Sequence, residues 1–334
     1  MSSPIEPQEG TISPELLRRI LGVLPPDTVL VGGQALAFWV DSYGIDRSDS
    51  ILHGAVSRDA DFLGRKPAIN SILEAINGSY ESFINDGSVL TALLGEVTIP
   101  VDQEVIKVDV IHKMIGLDAE EVRSRAATVN VDGNPVLVMN PMDVLISRVE
   151  NLKYLEKKMT PESIEQARLS VSVVESYIKD FIRDSYRTGN WRKTLNAVEA
   201  VYRIGKSSAG SFVSKEFGID FREAIPHDLI RNDKFQKIRW PQIYQELDVS
   251  FPVRIRTEET EGLLLTSLGA KLGEYDQDNK WFFAEVNDEC LDEIRKFPAD
   301  FKVEYIVRER PVVQSIPTES RPMISEEPSG FKPL

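Results

Sequence analysis

The spacing of apolar and polar positions divides the chain into three textures. Behind Ser13-Pro14, an N-cap followed by proline at the first helical position, Leu17, Ile20, Leu21 and Leu24 recur at helical spacing until Pro25-Pro26 stops the run. Thr28 to Val31 is β-branched and apolar, breaks at Gly32-Gly33 and gives way to Gln34 to Trp39, rich in helix formers: strand, glycine turn, helix. Residues 41–57 form a long polar connection, and a short strand follows over Asp59 to Leu63. Pro67 opens a second helix with Ile69, Ile72, Leu73 and Ile76 on one stripe, closed by Asn77-Gly78. Val89 to Ile99 and Val105 to Ile111 read as strands. In the second, Ile106, Val108 and Val110 share one face, and Val105, Lys107 and Asp109 the other. Ala127 to Val131, Asp132-Gly133 and Val136 to Met139 carry a hairpin signature. Residues 12–140 are therefore expected to form an α/β unit.

Beyond Asn140-Pro141 the period lengthens. Leu145, Val149, Leu152 and Leu155 run down one helical face, and Thr160-Pro161 opens another helix carrying Ile164, Ala167, Val171, Val174, Ile178 and Phe181. This predicts a helical domain over 141–245. From Phe251 the texture changes again: Val253-Arg254-Ile255, a helix-like run Gly262 to Leu272, and strands at Trp281-Phe282-Phe283 and Val303 to Val307 give a small α/β module over 251–310. The five prolines and many Ser and Glu of 311–334 predict a disordered tail.

At 334 residues, two or three domains are expected. Lys+Arg 39 against Asp+Glu 53 gives a net charge of -14, which argues against a broad, sequence-independent grip on a phosphate backbone. The lone cysteine, Cys290, allows no internal disulfide or thiolate metal cluster, so packing is its expected role and the cytoplasm the expected compartment. Met1 to Gly10 does not read as a signal peptide, and no apolar window approaches the ~20 residues of a membrane span.

One constellation carries candidate chemistry: Gly32-Gly33 at a strand end, Asp59-Ala60-Asp61 on a second strand and Asp109 on a third. An acidic-any-acidic pattern alone is uninformative, since about eight are expected by chance at this composition. Order and position discriminate. Residues i and i+2 of a strand share a face, so Asp59 and Asp61 are expected to project together while Ala60 and Phe62 face the core. With Asp109 alongside, three negative charges share one site, and each unscreened pair at ~4 Å costs roughly 4 kcal/mol at an effective dielectric of 20. Such a cluster should hold protons or cations. Magnesium suits it, because it takes carboxylate and phosphate oxygens in one octahedral shell, and two such ions can support in-line displacement at phosphorus. The glycine turn opening a helix lets backbone N–H groups approach a triphosphate.

Val31-Gly32-Gly33-Gln34-Ala35-Leu36, then Ser57-Arg58-Asp59-Ala60-Asp61-Phe62-Leu63-Gly64, then Lys107-Val108-Asp109-Val110 together resemble the nucleotidyltransferase superfamily of the DNA polymerase β type, nearest in flavour to the AbiEii-like minimal bacterial members. The resemblance covers roughly residues 12–160. It implies an α/β (α+β) fold, with a mixed sheet and helices followed by a helical substrate domain. It also implies Asp59, Asp61 and Asp109 as catalytic, metal-binding carboxylates for a two-ion magnesium site. Gly32, Gly33, Gln34, Ser57, Arg58 and Lys107 are then the nucleotide-contacting positions, with an NTP as substrate. The implied acceptor is a hydroxyl of RNA or tRNA, of a protein or of a small molecule, and the implied setting a toxin–antitoxin or phage-defence locus with a cognate protein partner. Two departures stand out. The gap from Gly33 to Asp59 is long, and after Pro141 there is no Arg-x-x-x-Lys-Asp segment, only Arg148, Lys153, Lys157 and Lys158.

Plainer readings sit beside these. Gly32-Gly33 could be a simple turn, the aspartates a solvated edge, and Lys107 a salt-bridge partner rather than a phosphate contact. Gly205-Lys206-Ser207 lacks the glycine five positions earlier and the preceding strand of a phosphate loop. His53, His112 and His227 have no zinc-site spacing. Arg183, Arg187, Arg192, Lys193, Arg203 and Lys206, interleaved with Tyr186, Trp191 and Tyr202, form either a solvated helix surface or a nucleic-acid face. A non-catalytic binding protein of the same fold and an aminoglycoside-type adenylyltransferase are the competing functions.

Overall fold

Side-chain caps open the helices at Pro14, Pro141 and Pro161, where the sequence places them. In the computed structural model, residues 8–46, 58–76, 79–85, 91–101, 104–247, 251–277, 280–286, 290, 293, 294, 296 and 302–305 are described. After the two-residue strand β1 (Gln8–Glu9), Ser13 caps α1 (Pro14–Leu21), its hydroxyl accepting from the Leu16 N–H at 3.2 Å. β2 (Val29–Val31) runs directly into α2 (Gly32–Tyr43), so the helix begins at the glycine pair and outlasts Trp39 by a turn. β3 (Ala60–Leu63) starts one residue later than expected, leaving Asp59 just before it. α3 (Lys66–Ala75), β4 (Glu81–Ile84), β5 (Leu93–Val101), β6 (Glu104–Ile111) and α4 (Ala119–Arg125) follow. β5 begins four residues after the expected Val89, which itself lies outside the described residues; β4 and α4 were not expected.

β7 (Ala127–Val131) and β8 (Asn134–Val138) form the hairpin expected from Asp132-Gly133. Both turn residues have positive φ, 51° and 88°, as a two-residue turn matching the twist of its strands requires. Asn140 caps α5 (Pro141–Tyr154), accepting from the Met142 N–H at 2.9 Å, and Thr160 caps the 28-residue α6 (Pro161–Thr188), which ends on left-handed Gly189.

The first-unit strands assemble in the order β4-β5-β6-β3-β2-β8-β7, with β1 pairing the start of β6. β6–β3 and β2–β8 pair in parallel, and β4–β5, β5–β6, β3–β2 and β8–β7 antiparallel, giving a mixed sheet. The period of two in β6 holds: Ile106, Val108 and Val110 are buried, whereas Lys107 and Asp109 are half-buried on the other face. α3 covers the apolar face. A Cβ on Gly95 would lie 2.6 Å from Ile69 Cδ1, and one on Gly64 3.2 Å from both Ala68 Cβ and Val110 Cγ1. α2, α5 and α6 pack on one another, joined by bonds from Tyr43 Oη to Asp180 Oδ2 at 3.1 Å and from Asn140 Nδ2 to Tyr177 Oη at 2.9 Å. Trp39 Nε1 donates to the Met139 carbonyl at 2.8 Å, fixing α2 against the end of β8. The mixed α/β fold with following helices is thus the expected class.

The chain divides into two compact units between Ala200 and Val201, inside the stretch expected as one helical domain. That boundary falls within α7 (Arg192–Lys206). In the second unit, Ser207 caps α8 (Ser208–Phe217), accepting from the Gly210 N–H at 2.9 Å, so Gly205 and Lys206 end α7 and Ser207 joins the two helices. α9 (Trp240–Glu246) precedes β9 (Phe251–Arg256), α10 (Gly262–Ser267), β10 (Lys271–Asp276), β11 (Trp281–Val286) and β12 (Lys302–Tyr305). These last strands form a separate antiparallel sheet, β10-β11-β9-β12, with its own core. The run expected to be helical to Leu272 stops at Ser267, because Gly269 at φ 101° turns the chain into β10. The tail 311–334 lies outside the described residues. Among the described residues no helix is long and apolar enough to cross a membrane.

Candidate functional site

Strand register builds the site. Asp61 on β3 is the parallel partner of Asp109 on β6, and Asp109 is the antiparallel partner of Glu96 on β5. On its other side Asp61 pairs with Val31, the last residue before the glycine turn. Partners in register share a face, so Glu96, Asp109 and Asp61 form a row across three strands that ends beside the start of α2. The row lies opposite the α3-covered face, since Gly95, one residue before Glu96, meets Ile69 of that helix, and its register partner Val110 is buried. Thr98 and Lys107 are paired in the next row, with Thr98 Oγ1 donating to Glu96 Oε1 at 3.3 Å.

Gly32 is required here for two reasons. Its φ is +66°, and a Cβ built on it would lie 2.0 Å from Asp61 Oδ2 and 2.9 Å from Asp61 Cγ. The Asp61 carboxylate therefore occupies the space that any other side chain at 32 would need. The helix opening there has no side-chain cap from Val31 and no acidic residue in its own first turn; the carboxylate set against its positive end is that of Asp61.

The electrostatics follow from this crowding. Asp109 is pushed up to about 7, first by burial and then by Asp61, Glu96 and Asp59, while Lys107 pulls it down. Its Oδ1 is buried with no hydrogen-bond partner among the described residues. Burial also raises Asp61, opposed by Arg148 of α5 and by Lys158. Arg148 in turn is lowered by burial and supported by Asp61; its Nη1 donates to Gln166 Oε1 at 2.7 Å, and its Nε is buried without a hydrogen-bond partner among the described residues.

The structure brings Gly32, Asp61 and Asp109 together and sets Asp59 and Lys107 close enough to shift Asp109. Gly33 and Gln34 follow in the first turn of α2, buried and half-buried. Arg58 is exposed and its carbonyl accepts from the Ile12 N–H at 3.0 Å; Ser57 and His53 lie outside the described residues. Among the described residues no three His, Cys, Asp or Glu side chains are grouped tightly enough to hold a metal ion as they stand. Glu96 and Arg148 were not assigned to the site from sequence. Glu96 had a signal, the alternation of Glu96 and Thr98 against buried Val97 and Ile99, but needed the β5–β6 register to become a neighbour of Asp109. Arg148 stood out only as one of four basic residues after Pro141, and its approach to Asp61 is purely tertiary.

The basic stripe resolves toward its plainer reading on α6, where Arg187 pairs with Asp184 at 2.8 Å and Arg183 with Asp180. Cys290 is buried in the core of the second sheet.

No protein-family model matches the sequence, and no curated protein matches it. Among solved structures, a candidate nucleotidyltransferase from H. pylori is 13% identical with a TM-score of 0.33, over 70% of this chain and 93% of its own. JHP933 from Helicobacter pylori is 13% identical with a TM-score of 0.31, over 76% of this chain and 95% of its own.

Proposed function

We propose that the chain is a metal-dependent nucleotidyltransferase that moves an NMP from an NTP to an acceptor hydroxyl and releases pyrophosphate. The observation carrying this reading is the register pair Asp61–Asp109 beside the opening of α2, with the Asp61 carboxylate lodged where Gly32 has no side chain. The donor chemistry suits magnesium: hard carboxylate oxygens, mutual repulsion that a cation relieves, and a buried Asp109 oxygen with no hydrogen bond among the described residues. Magnesium is commonly held by only one or two carboxylates, with phosphate oxygens and water completing its shell. Asp61 and Asp109 would be its protein ligands, with Asp59 third. When bound, the ion would neutralise phosphate charge and acidify the attacking hydroxyl.

The chain's own groups would supply the rest. Backbone N–H groups at the start of α2 would donate to phosphate oxygens held beside the Asp61 carboxylate. Lys107, on the site face, would add a cation near the departing phosphates, and Arg148 would favour the ionised form of Asp61 against the burial that raises it. A non-catalytic nucleotide-binding protein is the second reading, favoured by the lack of a three-carboxylate group among the described residues.

The test is transfer of label from each α-labelled NTP, with magnesium, into total RNA, protein and small-molecule fractions. Asp61→Asn and Asp109→Asn should each lower labelling by at least ~100-fold, the scale seen when one preorganised group facing developing charge is removed. Magnesium-dependent NTP binding without transfer in the wild type would establish the second reading, and absence of both would end the nucleotide reading.

A further inference from the structure

We infer that the site face beside Asp109 binds a small amine-bearing alcohol, its ammonium seated between Glu96 and Phe83; resting on the nucleotidyltransferase reading, this makes the alcohol the acceptor of the transfer. The row that builds the site continues past its carboxylates. Phe83 on β4 is the antiparallel partner of Glu96, so Phe83, Glu96, Asp109 and Asp61 stand in register across four strands and share one face. The next row on that face is Glu81, Thr98 and Lys107. Cover thins toward the sheet edge: Glu96, Thr98, Lys107 and Asp109 are half-buried, whereas Glu81 is exposed and Phe83 is 49% exposed.

The two ends of the longer row differ in charge. At the Asp61 end lie the start of α2 and the cations Arg148 and Lys158, whose fields favour the ionised carboxylate, so phosphates belong there. At the other end Glu81, Glu96 and Asp109 stand on neighbouring strands, with Lys107 the one base in the two rows. Glu96 repels Asp109 strongly enough to help raise it, and an ammonium beside these strands relieves that repulsion. An RNA acceptor would instead lay phosphates against the same acids. Phe83 adds an independent cue, because a ring next to a carboxylate attracts a cation through its π-cloud as well. The buried Asp109 oxygen that has no hydrogen bond among the described residues is open to a ligand on this face. Neighbouring strands are ~4.8 Å apart, so the row covers about 5 Å from Asp109 to Glu96 and about 10 Å to Phe83. A vicinal amino alcohol or an amino sugar bridges the first interval, and one or two rings fill the whole. In the transfer, the alcohol oxygen bonds to the α-phosphorus and the bond from that phosphorus to the bridging oxygen breaks. Pyrophosphate leaves with the electron pair, and the hydroxyl proton passes to water.

The test offers the full chain α-labelled NTPs, magnesium and three amines: ethanolamine, glucosamine and kanamycin. Each is run against its N-acetylated form, which keeps the hydroxyls and loses the cation, with total RNA and protein competing in the same tube. At least one amine should be labelled with a kcat/KM ~10- to 100-fold above its acetylated form, the scale of a hydrogen bond to a charged group. Glu96→Gln should collapse that preference to within about threefold. Phe83→Ala should lower it ~2- to 5-fold and Phe83→Trp should not, since tryptophan keeps the stronger π-face. A ratio taken within each variant is unmoved by loss of folded protein. Label that goes only to RNA or protein, an acetylated form that serves as well as its amine, or a preference that survives in Glu96→Gln would each overturn the inference and leave the nucleotidyltransferase reading in place. Calorimetric titration of the amines without NTP reads the subsite apart from the chemistry. Amine binding weakened by Glu96→Gln, with no label transferred to anything, would uphold the subsite and overturn the catalytic reading; absence of both amine binding and amine labelling would overturn the inference.

Discussion

Replacing Asp109 with asparagine should stabilise the protein, and only above mildly acidic pH. In the metal-free fold this carboxyl sits half-buried beside Asp61, Glu96 and Asp59, which with burial push it from an ordinary value near 3.8 up to about 7. The folded protein therefore holds this proton more tightly than the unfolded chain does. The corresponding stability is fully present below pH ~3.8 and is lost as pH rises through about 7. At 1.36 kcal/mol per unit the penalty for ionisation is about 4 kcal/mol, and solvent screening of a half-buried group reduces it to ~2 kcal/mol. Asparagine keeps the shape and never ionises. For a unit of this size, ~2 kcal/mol corresponds to a Tm gain of ~4–8 °C. Thermal unfolding of wild type and Asp109→Asn in EDTA, at pH 4.5, 6, 7.5 and 8.5, should show curves that nearly coincide at the lowest pH and separate progressively to pH 7.5. A variant less stable than wild type at pH 8.5, or a gain of equal size at every pH, would refute the electrostatic account.

Gly32→Ala should destabilise the first unit by more than ~1–2 kcal/mol, because the left-handed backbone penalty adds to a Cβ placed 2.0 Å from Asp61 Oδ2; denaturant unfolding measures it, and Gly32→Ala/Asp61→Ala should cost less than the two single changes summed. Glu96→Gln should lower the Asp109 titration midpoint by removing the charge across the β5–β6 ladder, read by carboxyl-carbon NMR, and an unmoved midpoint would contradict that register. Arg125→Met should cost ~2 kcal/mol in urea unfolding, since it strips the buried Asp143 carboxylate of bonds at 3.0 and 3.2 Å; the figure sits below the ~3–5 kcal/mol for a fully buried pair because Arg125 is partly exposed. A change within ~0.5 kcal/mol would mean that water replaces the guanidinium.

What was legible in the sequence was local. The period of two in residues 105–111 already separated Lys107 and Asp109 from the buried face, Asp132-Gly133 fixed a hairpin, and the glycine pair marked the switch from strand to helix. β4 escaped because all four of its residues are exposed, so no alternation marks it, and α4 because seven residues give too few turns for a periodic signal. The site was half legible. Asp61 and Asp109 are 48 positions apart; each was placed on a strand by its own neighbours and the two were joined only through the resemblance, whereas Glu96 depends on which strand neighbours β6 and Arg148 on how α5 approaches the sheet. The boundary between units was invisible for a similar reason: it falls inside a continuous helix, without the glycine, proline or charge run that announces a linker.

The close approach of Gly32 to Asp61 also ties the histories of these two positions together. A descendant that keeps the carboxylate can carry only glycine at 32, whereas one that loses it becomes free to vary there. In an alignment of true relatives, glycine at 32 should therefore co-vary with aspartate at 61 far more strictly than Gly33 does. That two-column rule is a sieve: it can recognise divergent homologues after overall identity has decayed, and sort those that still hold the carboxylate from those that have drifted into purely structural roles.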